Sequence, residues 1–199
     1  MPAIEETRFP LTARSRTGAG GRLRCVLLAG PAGSGKTTMC RLGYHAMAAA
    51  WGHPAAAIDV DQLYLNVDAR WELPYDDDRN AMILDQAGWL ARSLFDHGWR
   101  TVTIFGNSLF GPADSTRVAR ELSAMAEIFH VTLTPDLDTV LDRCAQAPGR
   151  DEAALRRDYD VHAARPHPGT ARLDNSRLTP EQTLRALAKL VDSGAGRLH

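Results

Sequence analysis

Cys25-Val26-Leu27-Leu28-Ala29-Gly30-Pro31-Ala32-Gly33-Ser34-Gly35-Lys36-Thr37-Thr38 is the stretch on which the reading of this chain turns. Five apolar residues run without alternation, the pattern of a parallel strand buried on both faces. They lead directly into Gly30-xxxx-Gly35-Lys36-Thr37, and a helical pattern runs on from about Gly35 to Ala50. A strand, a glycine-rich loop and a helix in that order make a phosphate-binding loop. Glycine lets the backbone turn tightly and come close to a phosphate. The loop amides and the helix start then form a ready-made anion site. Gly30, Pro31, Ala32, Gly33, Ser34 and Gly35 are therefore expected to cradle the phosphates of ATP. Lys36 is expected to reach the β- and γ-phosphates. The Thr37 hydroxyl is expected to hold Mg2+, and Thr38 to assist a phosphate or the first helical turn.

Outward from the loop, strand and helix patterns alternate. Ala55–Asp61 reads as a second strand with acids at its carboxyl end, and 62–78 as an irregular polar stretch. Residues 79–97 read as a helix whose apolar side is Met82, Ile83, Gln86, Leu90 and Leu94. Arg100–Phe105 is a β-branched strand, 114–126 a short helix with Asp114 as a candidate cap, and 127–133 another strand. Helices are expected from just after Pro135 to Ala147 and over 151–163, a loop over 165–170 and a short strand over 171–174. Thr179-Pro180-Glu181-Gln182 carries the marks of a helix start: a threonine cap, proline at the first position and glutamine completing the box. Leu184, Leu187, Ala188 and Val191 supply that helix with an apolar face. Such alternation predicts an α/β fold, a sheet of about five parallel strands with helices on both faces.

At 199 residues the chain suits one domain. The expected division is a flexible N-terminal arm over 1–22 and a single unit over 23–199. Within that unit, an acceptor-side insert lies at about 62–80 and a lid at about 143–163. Lys+Arg (23) nearly balances Asp+Glu (24), so general nucleic-acid binding is not expected. Cys25, Cys40 and Cys144 are widely spaced and match no metal-ligand pattern. That usage suits a reducing compartment. No run of 18 apolar residues and no apolar leader stand in the sequence, so a cytoplasmic location without a membrane span is expected.

In an open parallel sheet, chemistry gathers beyond the carboxyl ends of the strands. Asp59 and Asp61 fall there. Their i,i+2 spacing puts both on one side of an ideal strand, although a turn beginning at Val60 would alter this. One carboxylate is expected to serve Mg2+, with Asp59 the candidate. Asp61 is expected to orient or deprotonate an attacking hydroxyl. Tyr64, Trp71 and Tyr75 are candidates to wall an acceptor pocket, with ordinary packing as the alternative. Arg79 is a candidate to steady a substrate anion or hydroxyl. Asn107 stands where a typical Walker B strand ends in an acid, and it can hydrogen-bond acceptor or water. Arg143 and Arg150 flank Pro148-Gly149, with Arg156 and Arg157 beyond. Positioned arginines stabilise the charge that gathers during phosphoryl transfer, and a closing lid excludes water.

Taken together, Gly30–Thr38, Val60-Asp61-Gln62-Leu63, Arg143-xxxxxx-Arg150 followed by Val161-His162, and Leu173-Asp174-Asn175-Ser176-xx-Thr179-Pro180-Glu181-Gln182-Thr183 resemble the small P-loop kinases. The resemblance is to the group that contains chloramphenicol phosphotransferase and the zeta-toxin kinases, and it covers roughly 24–193. It implies a P-loop NTPase three-layer sandwich with a small arginine-bearing lid. It implies Asp61 as the catalytic aspartate, and the 173–183 segment near the nucleotide base. Asn107 and the aromatic and acidic stretch 64–78 depart from the group's pattern, so the resemblance does not specify an acceptor.

These features lead to an ATP- and Mg2+-dependent phosphotransferase acting on a hydroxyl of a small molecule, such as an antibiotic or secondary metabolite. A nucleotide, nucleoside or sugar-nucleotide kinase is the second enzyme reading. A regulatory nucleotide-binding module is the reading from another class. A nucleic-acid 5′-hydroxyl kinase is disfavoured because no broad basic track is present. Homo-oligomers are compatible with every one of these readings.

Overall fold

β1 (Leu23–Ala29) lies in the middle of a five-stranded sheet, flanked by β3 (Thr101–Phe105) and β4 (Ala126–Leu133). A computed structural model describes residues 22–42, 55–67, 76–109, 111–145, 151–164 and 169–198. β2 (Ala55–Asp59) and β5 (Ala171–Leu173) complete the order β2-β3-β1-β4-β5, with every pair parallel. The strand order reverses direction at β1, and this is where such sheets open a crevice for ligand.

Both faces of the sheet are covered, which is why β1 needs no polar alternation. Cys25 and Leu27 face one apolar layer with α3 (Asp77–Asp96) and α4 (Pro112–Leu122). Val26 and Leu28 face the other with Met39 and Cys40 of α1, described over 36–42, and with Leu184, Leu187 and Val191 of α7 (Pro180–Asp192). The result is the three-layer α/β sandwich expected. Cys25, Cys40 and Cys144 are free and buried, and burial pushes the Cys25 thiol up to about 12. Cys25 thus packs as a small apolar side chain.

Several element boundaries differ from the sequence pattern, each for a local reason. The second strand stops at Asp59, because the Asp59 carboxylate accepts the Asp61 N–H at 3.0 Å and caps the short helix α2 (Val60–Tyr64). Helix α3 begins at Asp77 rather than Arg79, since Asp76 accepts the Arg79 N–H at 2.8 Å. Asp76, Asp77 and Asp78 therefore serve a helix N-terminus, where negative charge is favoured. Asp114 is not a cap but the third residue of α4, and its carboxylate accepts the Gly111 N–H at 3.0 Å. The Thr179 box forms as read: Gln182 N–H donates to Thr179 Oγ1, and Thr179 N–H to Gln182 Oε1.

The apolar side of α3 is rotated from the one expected. Ile83, Leu84, Ala87, Ala91 and Phe95 are buried, while Met82 and Leu90 are 40% and 42% exposed. Small residues at 87, 88 and 91 let α4 come close, and a Cβ added at Gly88 would lie 3.3 Å from Glu121. Close helix packing thus outweighs side-chain size in choosing the face.

β5 has only three residues and pairs only with 131–133, leaving the first part of β4's edge open. The chain's end covers it: His130 N–H donates to Gly196 O, Leu198 N–H donates to Ile128 O, and Phe129 bridges Arg197 in antiparallel sense. Covering an edge removes a template for unwanted strand pairing.

The rotated face of α3 is testable by urea denaturation. Ile83→Ala should lower the unfolding free energy by about 2–5 kcal/mol, and Met82→Ala by less than about 0.5 kcal/mol. Equal losses would place both side chains in the core.

Candidate functional site

The loop after β1 is shaped by what packs beneath it. Gly33 has φ 76°, and a Cβ there would lie 2.6 Å from Cys144 Sγ of α5 (Leu137–Cys144) and 3.2 Å from Val140 O. Gly30 is equally closed, with Leu133 O 2.7 Å from the position of an added Cβ. Glycine at these two positions is what allows the loop to seat on β4 and α5. Lys36 opens α1, is 7% exposed, and donates from Nζ to Gly30 O at 2.6 Å and Pro31 O at 2.9 Å. Thr37 and Thr38 stand exposed beside it.

A cleft of about 480 Å³ opens above the loop, a size suited to a ligand of nucleotide dimensions. Gly33, Gly35, Lys36, Thr37 and Thr38 line one side, and Asp61 and Asn107 another. Arg143 of α5 lines the cleft too, as do Asn175, Leu178, Pro180 and Thr183 before and at the start of α7. Asn175 Nδ2 donates to Ser34 O at 2.9 Å, and Arg143 donates to Asn175 O at 2.8 Å and to Ser34 O at 3.4 Å. One loop carbonyl thus ties the phosphate loop to α5 and to the segment before α7.

Asp61 is fixed by the neighbouring strand. Its Oδ1 accepts the Asn107 N–H at 3.0 Å, just past β3. A Cβ at Gly106 would lie 2.9 Å from the same oxygen, so that position leaves room for the carboxylate. Burial pushes the Asp61 carboxyl above the usual carboxylate range; the Asn107 N–H and Lys36 pull it back, and the Asp59 and Asp158 carboxylates push it up. Asp59 is raised by burial too, against N–H groups of Asp61 and Gln62 and the charge of Lys36. Asp59 does not line the cleft.

The remaining expected residues divide. Tyr64 is 5% exposed and packs in the core beneath α3, so its ring does not wall the cleft. Its hydroxyl accepts from Arg79 at 3.0 Å, with the Arg79 guanidinium 5.9 Å from the ring centroid. Trp71, Tyr75 and Arg150 lie outside the described residues. Of the arginines beyond, Arg156 pairs with Glu152 at 2.8 Å and Arg157 with Asp151 at 3.9 Å, on the exposed side of α6 (Glu152–Ala164). The α6 residue that reaches the loop is Asp158, whose Oδ2 accepts the Ala32 N–H at 2.7 Å. No local signal marks its role, because its partner is 126 residues away.

Magnesium in such sites is held largely by phosphate oxygens and water, with few protein ligands. Thr37, exposed and lining the cleft, offers the hydroxyl oxygen that this ion takes, whereas Asp59, the other candidate, lies outside the cleft lining. Among the described residues no group of three or more His, Cys, Asp or Glu side chains is arranged to hold a metal. Among the described residues, too, no helix is long and apolar enough to cross a membrane.

This sheet order, with a phosphate loop at its central strand, is the fold of the small P-loop kinases. The sequence matches no protein-family profile and no curated protein. Solved structures are similar in fold. A sugar kinase from Janibacter sp. HTCC2649 superposes with a TM-score of 0.65 at 19% identity, over 85% of this chain and 95% of that one. The APS kinase of Mycobacterium tuberculosis, solved with AMPPNP and APS, gives 0.61 at 19% identity, over 86% and 98%. A tunicamycin resistance protein of Deinococcus radiodurans gives 0.56 at 15% identity, over 89% and 99%. Identities of this size carry the fold alone.

A carboxyl whose pKa rises on folding binds its proton more tightly in the folded state. Its charged form therefore costs stability at neutral pH, and the cost fades as pH falls through the raised pKa. Asp61→Asn should accordingly melt at the same temperature as the wild type or higher at pH 7, with the gain closing towards acid pH. Thermal melts across pH check this. A lower melting temperature at pH 7 would make the Asp61 charge a stabilising one.

Proposed function

We propose that this chain is an ATP-dependent kinase that transfers the γ-phosphoryl group to a hydroxyl of a small molecule. The observation that carries the reading is the position of Asp61. A half-buried carboxylate, held by Asn107 N–H, lines the same cleft as the Lys36–Thr37 end of the phosphate loop. A phosphate cradle alone would serve any nucleotide-binding module. A raised carboxyl facing it supplies a proton acceptor for a nucleophile.

In this reading the acceptor hydroxyl approaches between the Asp61 loop and residues 64–80. Asp61 orients it and takes its proton as the acceptor oxygen bonds to the γ-phosphorus. The bond from that phosphorus to the β–γ bridging oxygen breaks, and ADP leaves. Lys36 releases the carbonyls of Gly30 and Pro31 to meet the β- and γ-phosphates. Arg143, already at the cleft wall, stabilises charge on the donor side, with Arg150 its partner from the lid. If Mg2+ is bound, the Thr37 hydroxyl would hold it and the ion would supply charge neutralisation at the phosphates, while Asp59, outside the cleft lining, would reach it only through water. Asn107 presents its side chain to the acceptor, and Arg79, bonded to the Tyr64 hydroxyl, braces α2, the helix that carries Asp61. Trp71 and Tyr75 belong to the acceptor-side insert.

We further propose the division of the chain into an arm over 1–22 and a kinase unit over 23–199 with a lid at 143–163. The place of action is the cytoplasm, where ATP and reduced thiols are available. The P-loop kinase neighbours include a tunicamycin resistance protein and a sugar kinase. Hydroxyl-bearing antibiotics and sugars are therefore the first acceptors to try.

The test is incubation with Mg-ATP and a panel of antibiotics, sugars and nucleosides, followed by mass spectrometry. A product heavier by one phosphoryl group is expected for at least one acceptor, and release of only ADP and phosphate across the panel would count against the proposal. With that acceptor, Asp61→Asn should reduce turnover by about 10²–10⁴-fold while ATP binding by calorimetry stays near wild type. Lys36→Ala should lower kcat by about 10²–10³-fold. Unchanged turnover in Asp61→Asn would remove Asp61 as the base.

A further inference from the structure

Two donors of the phosphate loop, the Ala32 N–H and Lys36 Nζ, already have protein partners. Ala32 N–H, within the loop that should wrap the triphosphate, donates to Asp158 Oδ2 at 2.7 Å. That distance is typical of a hydrogen bond to a charged acceptor. Asp158 comes from α6, is 30% exposed, and keeps its other oxygen 3.8 Å from Nε2 of the buried His162. Lys36 is likewise turned inward, onto Gly30 O and Pro31 O. A carboxylate oxygen and a phosphate oxygen are the same kind of acceptor for a backbone N–H, and one such donor cannot serve both well.

We propose that Asp158 is a built-in competitor of the nucleotide: its carboxylate holds a phosphate-oxygen position of the loop, and a nucleoside di- or triphosphate must displace it to bind. This rests on the nucleotide reading of the cleft given above. Two observations carry it beyond a chance contact. Arg156 and Arg157 pair locally, with Glu152 and with Asp151 just before the helix, whereas Asp158, besides its contact to His162, crosses to the loop. Ala32, which Asp158 holds, lines the cleft with Asp61, so a polyphosphate drawn to that loop amide would meet two carboxylates with Asp158 left in place. Nucleotide binding and the release of α6 from the loop are thereby one event. ADP or ATP frees the helix, and departure of product lets the carboxylate return.

When a contact blocks a site, the apparent dissociation constant rises by the inverse of the open fraction. Removing Asp158 should therefore tighten binding. The experiment is binding of Mg-ADP to the full chain by calorimetry, with stopped-flow association and dissociation of a fluorescent ADP. Asp158→Ala should bind ADP about three- to tenfold more tightly, with faster association and an unchanged dissociation rate. Asp158→Asn keeps the shape and an acceptor oxygen but loses the charge, and should fall between. It also serves as the variant to read if Asp158→Ala does not fold by circular dichroism. ADP affinity equal to wild type, or weaker, overturns the competition, because a group that only supports the fold or contacts the bound nucleotide gives those results. Absence of ADP binding in wild type and variants alike overturns the nucleotide reading itself, an outcome distinct from equal binding.

Discussion

Where β1 runs into the loop, the backbone has no space beside it for a side chain. Gly30 rests against Leu133 of β4, and Gly33 against Cys144 and Val140 of α5. With β4 and α5 directly against it, the loop can bend back over the strand end and aim its amides upward. Bulk at either glycine would push the loop off β4 or force α5 away. The cleft, the tie from Ser34 O to Arg143 and Asn175, and the contact to Asp158 all depend on this seat. A buried parallel strand on each side of β1 keeps it from shifting.

The acceptor side is built by a different constraint, the end of β2. Asp59 stops the strand by capping α2, and the turn that results carries Asp61 away from the strand face and towards Asn107. Two acids that look equivalent in sequence thereby take different work. Asp59 satisfies backbone donors of the next helix. Asp61 lines the cleft with its carboxyl raised by burial. Burial raises both carboxyls, so what separates the two acids is position, Asp61 and not Asp59 lining the cleft.

The α5–α6 side joins these halves. Arg143 contacts the loop from the donor side, and Asp158 contacts it from α6. Positive and negative groups from one segment thus meet the same short loop, so occupancy of the loop and position of α6 are coupled by ordinary hydrogen-bond competition. The aromatic ring of Tyr64, by contrast, contributes through packing in the layer that supports α3, with Arg79 over its hydroxyl.

What the sequence determined by itself is what neighbours along the chain settle. The phosphate loop, the strand and helix alternation and the Thr179–Gln182 box are legible because their donors, acceptors and apolar contacts lie within a few residues, or within one helical or strand period. The exposed face of α3 was less legible, since Met82 and Leu90 are apolar but the closeness of α4 favours Ile83, Ala87 and Ala91 inside. Only the tertiary structure decided that Asp61 meets Asn107, that Asn175 and Arg143 share Ser34 O, and that Asp158 sits on Ala32. These partners are 46 to 141 residues apart. No local period encodes such contacts; they exist because β1, β3 and β4 bring their carboxyl ends to one side of the sheet, and the segments that follow converge there.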